Sequence, residues 1–361
     1  MIKAAEKKHQ PDFILLGTLI LLVLTGFLVL ATASVPYSLR IANDPNYFLM
    51  HQLEYGAIGL VLGFIAYKLP IDKIKKINFS LFFFLLFLMY SVFLPFWSHE
   101  AKGATRWIEL GFFHLQPSEP LKLAAIIYLA TLIDKFKKKS LKPFIIIMIL
   151  IAASLLLQKD LSTLIIIALT ACVIYFCGQG SFKNIALIGL AGILAIAAFI
   201  AIEPYRLQRI ETLFNPSKDL LGSGYHPQQA LISIGSGQIL GSGLGLSVQK
   251  FGFLPESITD SIFAIFAEET GFVGCTFLVL LFLVFAYRVF SMAKKSEDLS
   301  CKLMACGIGF WITFQAFINI SSMTGLVPVS GIPLPFISNG GSHMIAELAA
   351  MGVLLNISKN V

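Results

Sequence analysis

Charged residues are scarce in this chain of 361 residues, where they make up 13%, while hydrophobic residues make up 57%. Soluble globular domains carry about a quarter charged residues, so the chain lacks the polar surface that water solubility requires. The mean hydropathy of +0.82 agrees with this. The composition therefore predicts a protein that is solvated mainly by lipid.

The sequence patterns of metal and disulfide sites are also missing. No CxxC or Cys/His zinc spacing occurs, and an odd number of cysteines argues against a disulfide framework. All of them lie in or beside apolar segments, where we interpret them as small hydrophobic side chains. They are Cys172, Cys177, Cys275, Cys301 and Cys306.

Basic runs interleaved with aromatic residues do not occur, which argues against nucleic acid as a partner. The net charge of +7 indicates instead cytoplasmic loops that face anionic lipid. No internal repeat of about 20–50 residues and no low-complexity tract is visible. We therefore predict a single membrane domain over 1–361, without a soluble domain.

Long apolar stretches are what the sequence does contain. A helix needs about 20 residues to cross the hydrocarbon core of a bilayer, and ten stretches approach this length. We predict an all-α polytopic membrane protein with about ten transmembrane helices. The stretches are 13–33, 53–69, 79–97, 119–134, 143–157, 161–178, 185–202, 262–290, 300–323 and 343–357.

The lysines and arginines are distributed unevenly between the connections of these stretches. With the N-terminus in the cytoplasm, 18 of the 27 fall on the cytoplasmic side. The positive-inside rule then predicts that both termini lie in the cytoplasm. Three unusual segments, 99–119, 203–261 and 325–342, fall on the outer side.

These outer segments concentrate charges, glycines and prolines beside helix ends, where functional sites tend to be built. Irregular backbone at membrane depth must line a cavity or be buried in protein. We predict a large extracytoplasmic loop at 203–261 and a re-entrant Gly/Pro segment at 325–342. Pro328, Pro333 and Pro335 exclude a continuous helix in the latter.

Glu119 and Lys122 are three residues apart at the start of an apolar helix, so they share a helix face. One interpretation is an internal ion pair that neutralises two charges in the membrane. The other is a face that lines a polar, substrate-binding cavity, and both can hold. The Gln158-Lys159-Asp160 turn is either a polar connection or an N-cap for the helix that follows.

Arg206 and Arg209 are close together in the long loop, and arginine binds phosphate in a bidentate manner. A pyrophosphate ligand and a packing or lipid-headgroup contact are both compatible with this pair. The glycine-rich run at 235–245 contains GxGxxG-like spacings, but no strand–helix unit surrounds them. A nucleotide-binding interpretation therefore fails.

Acidic residues follow this run at Glu256, Asp260, Glu268 and Glu269. Asp260 precedes an apolar helix, as either a general base or a simple N-cap. One of the two adjacent glutamates is expected to face the protein interior. Ser342 follows Gly340-Gly341 as a predicted helix cap, and His343 is expected to be structural.

Several of these segments, in this order, resemble motifs of the SEDS family, which includes FtsW and RodA. The resemblance covers nearly the whole chain. The motifs are GATRWIELG, QPSEPLK, QKDLST, YRLQRI, GYHPQQALISIGSG, GSGLG, LPESITDSIFAIFAEETGFVG and GIPLPFISNGGS. The GSGLGLSVQKFGFLPE stretch is more similar to FtsW than to RodA.

The resemblance implies a peptidoglycan glycosyltransferase that polymerises lipid II into glycan strands at the outer face of the cytoplasmic membrane. It implies a class B penicillin-binding transpeptidase and other divisome or elongasome membrane proteins as partners. A role in cell division is favoured over elongation. The alternatives are a lipid II flippase and a non-catalytic scaffold for the transpeptidase.

The family's essential aspartate falls on Asp260, which would act as the catalytic base. The predicted substrate-binding residues are Arg106, Glu119, Lys122, Arg206, Arg209, Glu256 and Ser342. No nucleotide is required, because the donor sugar is already activated. Cationic side chains, or a divalent ion such as magnesium or manganese, would neutralise the pyrophosphate leaving group.

The chain departs from the family pattern beside the aspartate and before the last helix. The family usually has HTDF, whereas this chain has Ile258-Thr259-Asp260-Ser261. It usually has SYGGSS, whereas this chain has Ser338-Asn339-Gly340-Gly341-Ser342-His343. Because the aspartate is kept, activity is still expected, with altered local packing around it.

Overall fold

The structure is a computed structural model that describes residues 10–94, 98–101, 104–110, 113–137, 141–178, 180–184, 186–192, 204–215, 219 and 222–359. Its helices are α1 (Phe13–Ala33), α2 (Val35–Ala42), α3 (Tyr47–Lys68), α4 (Ile71–Ser91), α5 (Ser118–Phe136), α6 (Leu141–Leu157), α7 (Leu161–Cys177), α8 (Pro204–Phe214), α9 (Tyr225–Ser236), α10 (Ile262–Lys295), α11 (Leu299–Met323) and α12 (Gly341–Ser358). Its strands are β1 (Ser98–Ala101), β2 (Ala104–Leu110) and β3 (Phe113–Leu115).

Nearly all described residues of the predicted apolar stretches lie in helices, although α4 already ends at Ser91 within the stretch 79–97. Among the described residues, five helices, α1, α3, α4, α10 and α11, are long and apolar enough to cross a membrane. Helices α6 and α7 are apolar but only 17 residues long. Of the stretch 185–202, the structure describes only 186–192. The architecture is thus that of a polytopic helical protein, and the number of spans remains a prediction.

The all-α fold class is incomplete, because the described residues include a three-stranded antiparallel sheet in the order β1-β2-β3. His99 pairs with Trp107, and Glu109 pairs with His114. The strands are too short to register as apolar runs, so the sequence was interpreted as an outer loop. The β-branched and aromatic residues of β2 nevertheless favour extended backbone. The sheet matters for the site because β2 carries Arg106.

Helix α10 is broken at Gly271, whose φ of 64° and ψ of −164° are not helical. The backbone of 238–243 enters this break. Ser242 N–H donates to Glu268 O over 2.9 Å, and Phe272 N–H donates to Gln238 O over 2.9 Å. A Cβ atom on Gly271 would lie 2.3 Å from Gly241 N, so only glycine fits. The backbone of the glycine-rich run therefore packs directly against the backbone of α10.

The predicted Gly/Pro segment is non-helical between α11 and α12, and its middle is buried in protein. Leu334, Phe336 and Ser338 each have no exposed surface. Side-chain amides of neighbouring helices satisfy its carbonyl groups. Asn319 Nδ2 donates to Ile332 O over 2.7 Å, and Gln52 Nε2 donates to Ser338 O over 3.3 Å. Irregular backbone is tolerated here because it is enclosed by protein.

The segment predicted as one long loop, 203–261, contains ordered helices in its described part. Helices α8 and α9 lie in it, followed by a short 3-10 turn at Gln249–Phe251. The described part of this segment, the sheet and the 325–340 segment lie at one end of the helix bundle. We call this end the loop end. All the residues that sequence analysis selected as candidates belong to elements that meet at this end.

Candidate active site

Asp260 lies in a tight turn, residues 255–261, which we call the Asp260 turn. Glu256 has a positive φ of 51°. Its carbonyl oxygen accepts hydrogen bonds from Thr259 N and Ser261 N, both over 3.1 Å. Its carboxylate accepts a third from Thr259 Oγ1 over 3.0 Å. Glu256 is exposed, so its observed contacts stabilise the turn, and its predicted binding of substrate stays a prediction.

Three donors outside the turn fix its last residues. Asn339 N donates to Ile258 O over 2.9 Å, Ser338 Oγ donates to Thr259 O over 2.6 Å, and Asn319 Nδ2 donates to Asp260 O over 2.8 Å. The backbone on either side of the Asp260 carboxylate is therefore anchored to the Gly/Pro segment and to α11. Functional groups perform best when their support is rigid in this way.

The carboxylate of Asp260 lies beside the Gly/Pro segment, and the residue as a whole is partly exposed. Its Oδ2 lies 3.6 Å from the position that a Cβ on Gly331 would occupy, and Gly331 has a φ of 68°. Helix α10 begins at Ile262 with Ser261 as its N-cap residue. The interpretation of Asp260 as an N-cap is therefore wrong, and its carboxylate faces the loop end.

Arg209 contacts the same segment from α8. Its Nη1 donates to Val329 O over 2.7 Å, two residues before Gly331. Ser162 Oγ donates to the neighbouring Ser330 O over 2.6 Å. The predicted loop-packing contact of Arg209 is thus present, whereas phosphate binding remains a prediction. The side chain of Arg206 lies outside the described residues.

Glu119 and Lys122 share one face of α5, as the i, i+3 spacing predicts. Their side chains are about 6% and 2% exposed, and Oε2 lies 2.8 Å from Nζ. This carboxylate oxygen does not meet hydrogen-bond geometry, so the contact is electrostatic. Lys122 Nζ also donates to Gln315 Oε1 over 3.1 Å and lies 5.1 Å from the centre of the Trp311 ring.

Gln315 connects this ion pair to the Gly/Pro segment, because its Nε2 donates to Pro333 O over 3.0 Å. The crevice beside Lys122, between α5, α7 and α11, is lined mainly by aliphatic side chains such as Ala125, Ile126 and Ile166. The geometry therefore supports the neutralised ion pair. A polar cavity on this face of α5 stays a prediction.

Arg106 reaches from β2 to the turn between α6 and α7. Its Nε donates to Gln158 O over 3.2 Å, its Nη2 donates to Lys159 O over 2.5 Å, and its Nη1 lies 4.0 Å from Asp160 Oδ1. Asp160 caps α7, as one sequence interpretation proposed, by accepting a hydrogen bond from Thr163 N over 3.2 Å. These contacts make Arg106 a link between the sheet and the bundle.

Ser342 does not cap α12, in contrast to the sequence prediction. The helix starts two residues earlier than predicted, at Gly341, and its N-cap residue is Gly340. The Ser342 hydroxyl instead accepts a hydrogen bond from Gln116 N over 2.9 Å and donates to His114 O over 3.2 Å. It thus attaches α12 to the connection between β3 and α5.

His343 is buried, and its Nε2 lies 3.0 Å from Ser338 O. The prediction that this histidine is structural agrees with that contact. The residue that it contacts, Ser338, donates from its Oγ to Thr259 O in the Asp260 turn.

Glu268 and Glu269 are both buried, whereas the sequence was expected to place only one of them inside. Glu268 accepts hydrogen bonds from Ser247 Oγ over 2.5 Å and from Val248 N over 2.9 Å. Glu269 pairs with Lys250 Nζ over 3.0 Å. Both carboxylates therefore hold the glycine-rich loop against α10, which is a structural role.

The residues that sequence reasoning missed are the amides of α11. Gln315 and Asn319 are four residues apart in an apolar helix, so they share a face, and both bind backbone carbonyls at the loop end. Polar residues inside a membrane segment are costly and therefore often functional. Their spacing was a signal that could have identified them.

Within the described ranges, no group of three or more His, Cys, Asp or Glu side chains could hold a metal ion. Mg²⁺ is often bound through only one or two carboxylates, with oxygens from the substrate's phosphates. The residues around Asp260 therefore fit a divalent ion only if the substrate supplies most of its ligands.

Comparison with known proteins identifies similar chains along the whole length. The family described as cell cycle proteins of the FtsW, RodA and SpoVE type matches residues 12–361. A probable peptidoglycan glycosyltransferase FtsW of Escherichia coli O6:H1 is 35% identical over 92% of this chain and 82% of its own length. Stage V sporulation protein E of Bacillus subtilis strain 168 is 35% identical over 98% of both chains.

Two solved structures are similar in fold as well. The first belongs to a peptidoglycan synthase complex that coordinates polymerization and crosslinking. It has a TM-score of 0.79 and 26% identity, and the match covers 96% of this chain and 97% of that one. The second is the rod shape determining protein RodA of Thermus thermophilus, with a TM-score of 0.72 and 25% identity over 97% of both chains.

Proposed function

Because this chain belongs to the FtsW, RodA and SpoVE family of cell cycle proteins, we propose that it polymerises lipid II into glycan strands. It is an integral membrane protein of the peptidoglycan glycosyltransferase type, the activity named for its FtsW relatives. The substrate, the reacting residues and the partner are the parts that this proposal adds.

One observation carries the proposal. Asp260 is a partly exposed residue at the loop end, and the backbone around it is anchored by Asn319, Ser338 and Asn339. A general base must be positioned within hydrogen-bond reach of the proton that it removes. A rigid turn that holds a partly exposed aspartate at the loop end meets the positioning part of this requirement.

In the proposed reaction, Asp260 accepts the proton of the acceptor sugar's 4-hydroxyl as its oxygen attacks the anomeric carbon of the donor. The new glycosidic C–O bond forms while the bond from the anomeric carbon to the pyrophosphate oxygen breaks with its electron pair. Attack opposite the leaving group inverts the anomeric centre. The pyrophosphate stays attached to its lipid. The reaction therefore takes place at the membrane, where an integral membrane enzyme can reach it.

The leaving pyrophosphate needs positive charge. Arg209 is the best supported candidate, because it contacts Val329 in the segment that also faces Asp260. The charge of Lys122 is already balanced by Glu119, and Arg106 is engaged by the turn at 158–160. A magnesium or manganese ion carried by the substrate is the proposed alternative.

A polymerisation assay tests the activity. The purified full chain in detergent or liposomes is given fluorescent lipid II, with and without a class B penicillin-binding transpeptidase. We propose this partner because a similar structure belongs to a complex for polymerization and crosslinking. Glycan ladders on a gel are expected with the partner present. Absence of polymer under both conditions would contradict the proposal.

The rival flippase activity is measured on the same preparation. Lipid II in the inner leaflet of liposomes becomes accessible to an external probe only if it is translocated. We expect polymer without translocation, since the cytoplasmic halves of the helices are nearly all apolar in sequence. Translocation without polymer would favour the flippase.

We also propose that the loop end faces outward from the cytoplasmic membrane and that both termini are cytoplasmic. In a variant that lacks the native cysteines, a new thiol at the exposed Asn215 should react with an impermeant maleimide in intact spheroplasts. A thiol at the exposed Glu297 should react only after permeabilisation. The opposite pattern would reverse the orientation that the lysines and arginines predict.

A further inference from the structure

Ser261, the residue next to Asp260, is completely buried and makes two side-chain hydrogen bonds. Its Oγ lies 2.6 Å from His226 Nε2 and 2.9 Å from Pro255 O. Serine at an N-cap usually binds a backbone N–H of its own helix. Here its hydroxyl instead closes the Asp260 turn and connects it to α9.

The direction of the two hydrogen bonds follows from the donor count. A hydroxyl has one proton, and a peptide carbonyl can only accept. The Ser261 proton is therefore donated to Pro255 O, and the Ser261 oxygen accepts a proton from His226 Nε2. The imidazole must carry a proton on Nε2, a condition that the neutral Nε2–H tautomer and the imidazolium both meet.

The two hydrogen bonds, from His226 to Ser261 and from Ser261 to Pro255, form a relay. This relay fixes the part of the Asp260 turn that the other hydrogen-bond donors do not reach. Asn339, Ser338 and Asn319 bind the carbonyls of residues 258, 259 and 260. Ser261 binds the carbonyl of Pro255, at the start of the turn. Without His226, the Ser261 hydroxyl could rotate away, and the first half of the turn would lose its anchor.

His226 is well placed for this role because α9 is attached to α10 at two points on one face. Ser233, seven residues after His226 and hence on the same face, donates from Oγ to Ala264 O over 2.9 Å. Ala230, between them, is fully buried. The position of the His226 imidazole is therefore fixed beside the beginning of α10.

The His226–Ser261 hydrogen bond also accounts for the serine at position 261, which departs from the motif of the resembled family. The LPESITDSIF motif has serine after the aspartate where phenylalanine is usual, so a small polar residue replaces a large apolar one. A buried serine hydroxyl costs free energy unless it is hydrogen-bonded. His226 and Pro255 supply its partners.

We propose that His226 is a positioning residue for Asp260 and acts through Ser261. The proposal rests on the proposed function, in which Asp260 is the base. His226 itself need not touch the substrate. Its contribution is to keep the turn in the conformation that presents the carboxylate to the acceptor.

The test is a set of variants assayed for lipid II polymerisation with the partner present. His226→Ala and Ser261→Ala should each lower kcat about tenfold, because displacements well below 1 Å already reduce rates, while KM for lipid II stays within about twofold. The double variant should be no slower than either single, since both remove one relay. His226→Gln, which keeps an N–H near the position of Nε2, should recover most of the rate.

Ser236→Ala is the matched control, because its hydroxyl donates only to Ser233 O within α9 among the described contacts. It should polymerise at the wild-type rate. A His226→Ala enzyme with a wild-type kcat would overturn the proposal, as would a His226→Gln enzyme that is as slow as His226→Ala. Additive losses in the double variant would also overturn it. Failure of the proposed function itself is distinguishable, because the wild type would then make no polymer or would tolerate loss of the Asp260 carboxylate.

Discussion

Replacing Asp260 with asparagine is expected to lower the rate of glycan polymerisation by roughly 10²–10⁴-fold, the usual contribution of a positioned general base. Asparagine keeps the size of the side chain but cannot accept the proton of the attacking hydroxyl. The backbone carbonyl of residue 260, which accepts from Asn319, is unaffected by the change. The variant should therefore fold and bind its partner normally.

Asp219→Asn is the matched control for this substitution. Asp219 is exposed in the same long loop, where its carboxylate accepts from Gly222 N over 3.0 Å and from Ser223 N over 2.9 Å. Asparagine has one oxygen and keeps one of these two hydrogen bonds. Because position 219 is exposed, water can bind the other N–H, so polymerisation should stay at the wild-type rate. Near-normal synthesis by Asp260→Asn would refute the catalytic assignment. Thermal unfolding of both variants shows whether a lost rate reflects lost structure.

This comparison also separates an enzyme from a scaffold. A scaffold that only positions the transpeptidase does not depend on the basicity of one carboxylate. The crosslinking activity of its partner would therefore be the same with Asp260→Asn as with Asp219→Asn. An enzyme loses its own product in one variant only. Glycan length on a gel and partner binding on the same preparation decide between the two.

Local spacing predicted the parts of the site that depend on neighbours in sequence. Glu119 and Lys122 are three residues apart on a helix, so their pairing follows from helix geometry. Asp160 capping α7 is equally local. Apolar runs of membrane length predicted the helices for the same reason, since backbone hydrogen bonds in lipid must be satisfied within each segment.

The support of Asp260 could not be predicted in this way. The donors to its turn come from Asn319, 59 residues away from Asp260, and from Ser338, 79 residues away from Thr259. Which residues meet across such distances depends on how α10, α11 and the Gly/Pro segment pack. The cap assigned to Ser342 failed for a related reason, because its hydroxyl is used by the connection between β3 and α5.

The sheet was missed because the three strands are short and lie between two apolar helices. Strict alternation of polar and apolar residues indicates a strand, but in β2 the two polar residues Thr105-Arg106 are followed by the two apolar residues Trp107-Ile108. In the described part of β2, Ile108 is the residue that is almost completely buried, at 1% exposure. A strand with so little buried surface leaves almost no hydrophobic pattern in the sequence.

Reversing either charge of the Glu119–Lys122 pair is expected to destabilise the protein by at least about 3–5 kcal/mol, because removing one partner of a buried pair already costs this much and the reversal also brings two like charges together. Both side chains are at most 6% exposed, so water cannot compensate. Thermal unfolding of Glu119→Lys and of Lys122→Glu in the same detergent measures the loss. Polymerisation should fall in parallel, since Gln315 connects the pair to the Gly/Pro segment.

The swapped double variant, Glu119→Lys with Lys122→Glu, should recover only part of this stability. It restores an ion pair on the same helix face, but the contacts of Lys122 with Gln315 Oε1 and with the Trp311 ring are lost. A carboxylate at position 122 would instead face the oxygen of Gln315. The neutral double variant, Glu119→Gln with Lys122→Met, should be more stable than either single reversal, because it leaves no unpaired charge.

The Lys75–Asp298 pair provides the exposed control. Its atoms are 2.7 Å apart, close to the 2.8 Å of the buried pair, but its side chains are 21% and 43% exposed. Exposed ion pairs contribute about 0–1 kcal/mol, so Lys75→Glu, which leaves Asp298 in place as the N-cap of α11, should unfold close to the wild-type temperature. If the reversals at Glu119 and Lys122 are as mild as this one, the buried pair does not stabilise the bundle.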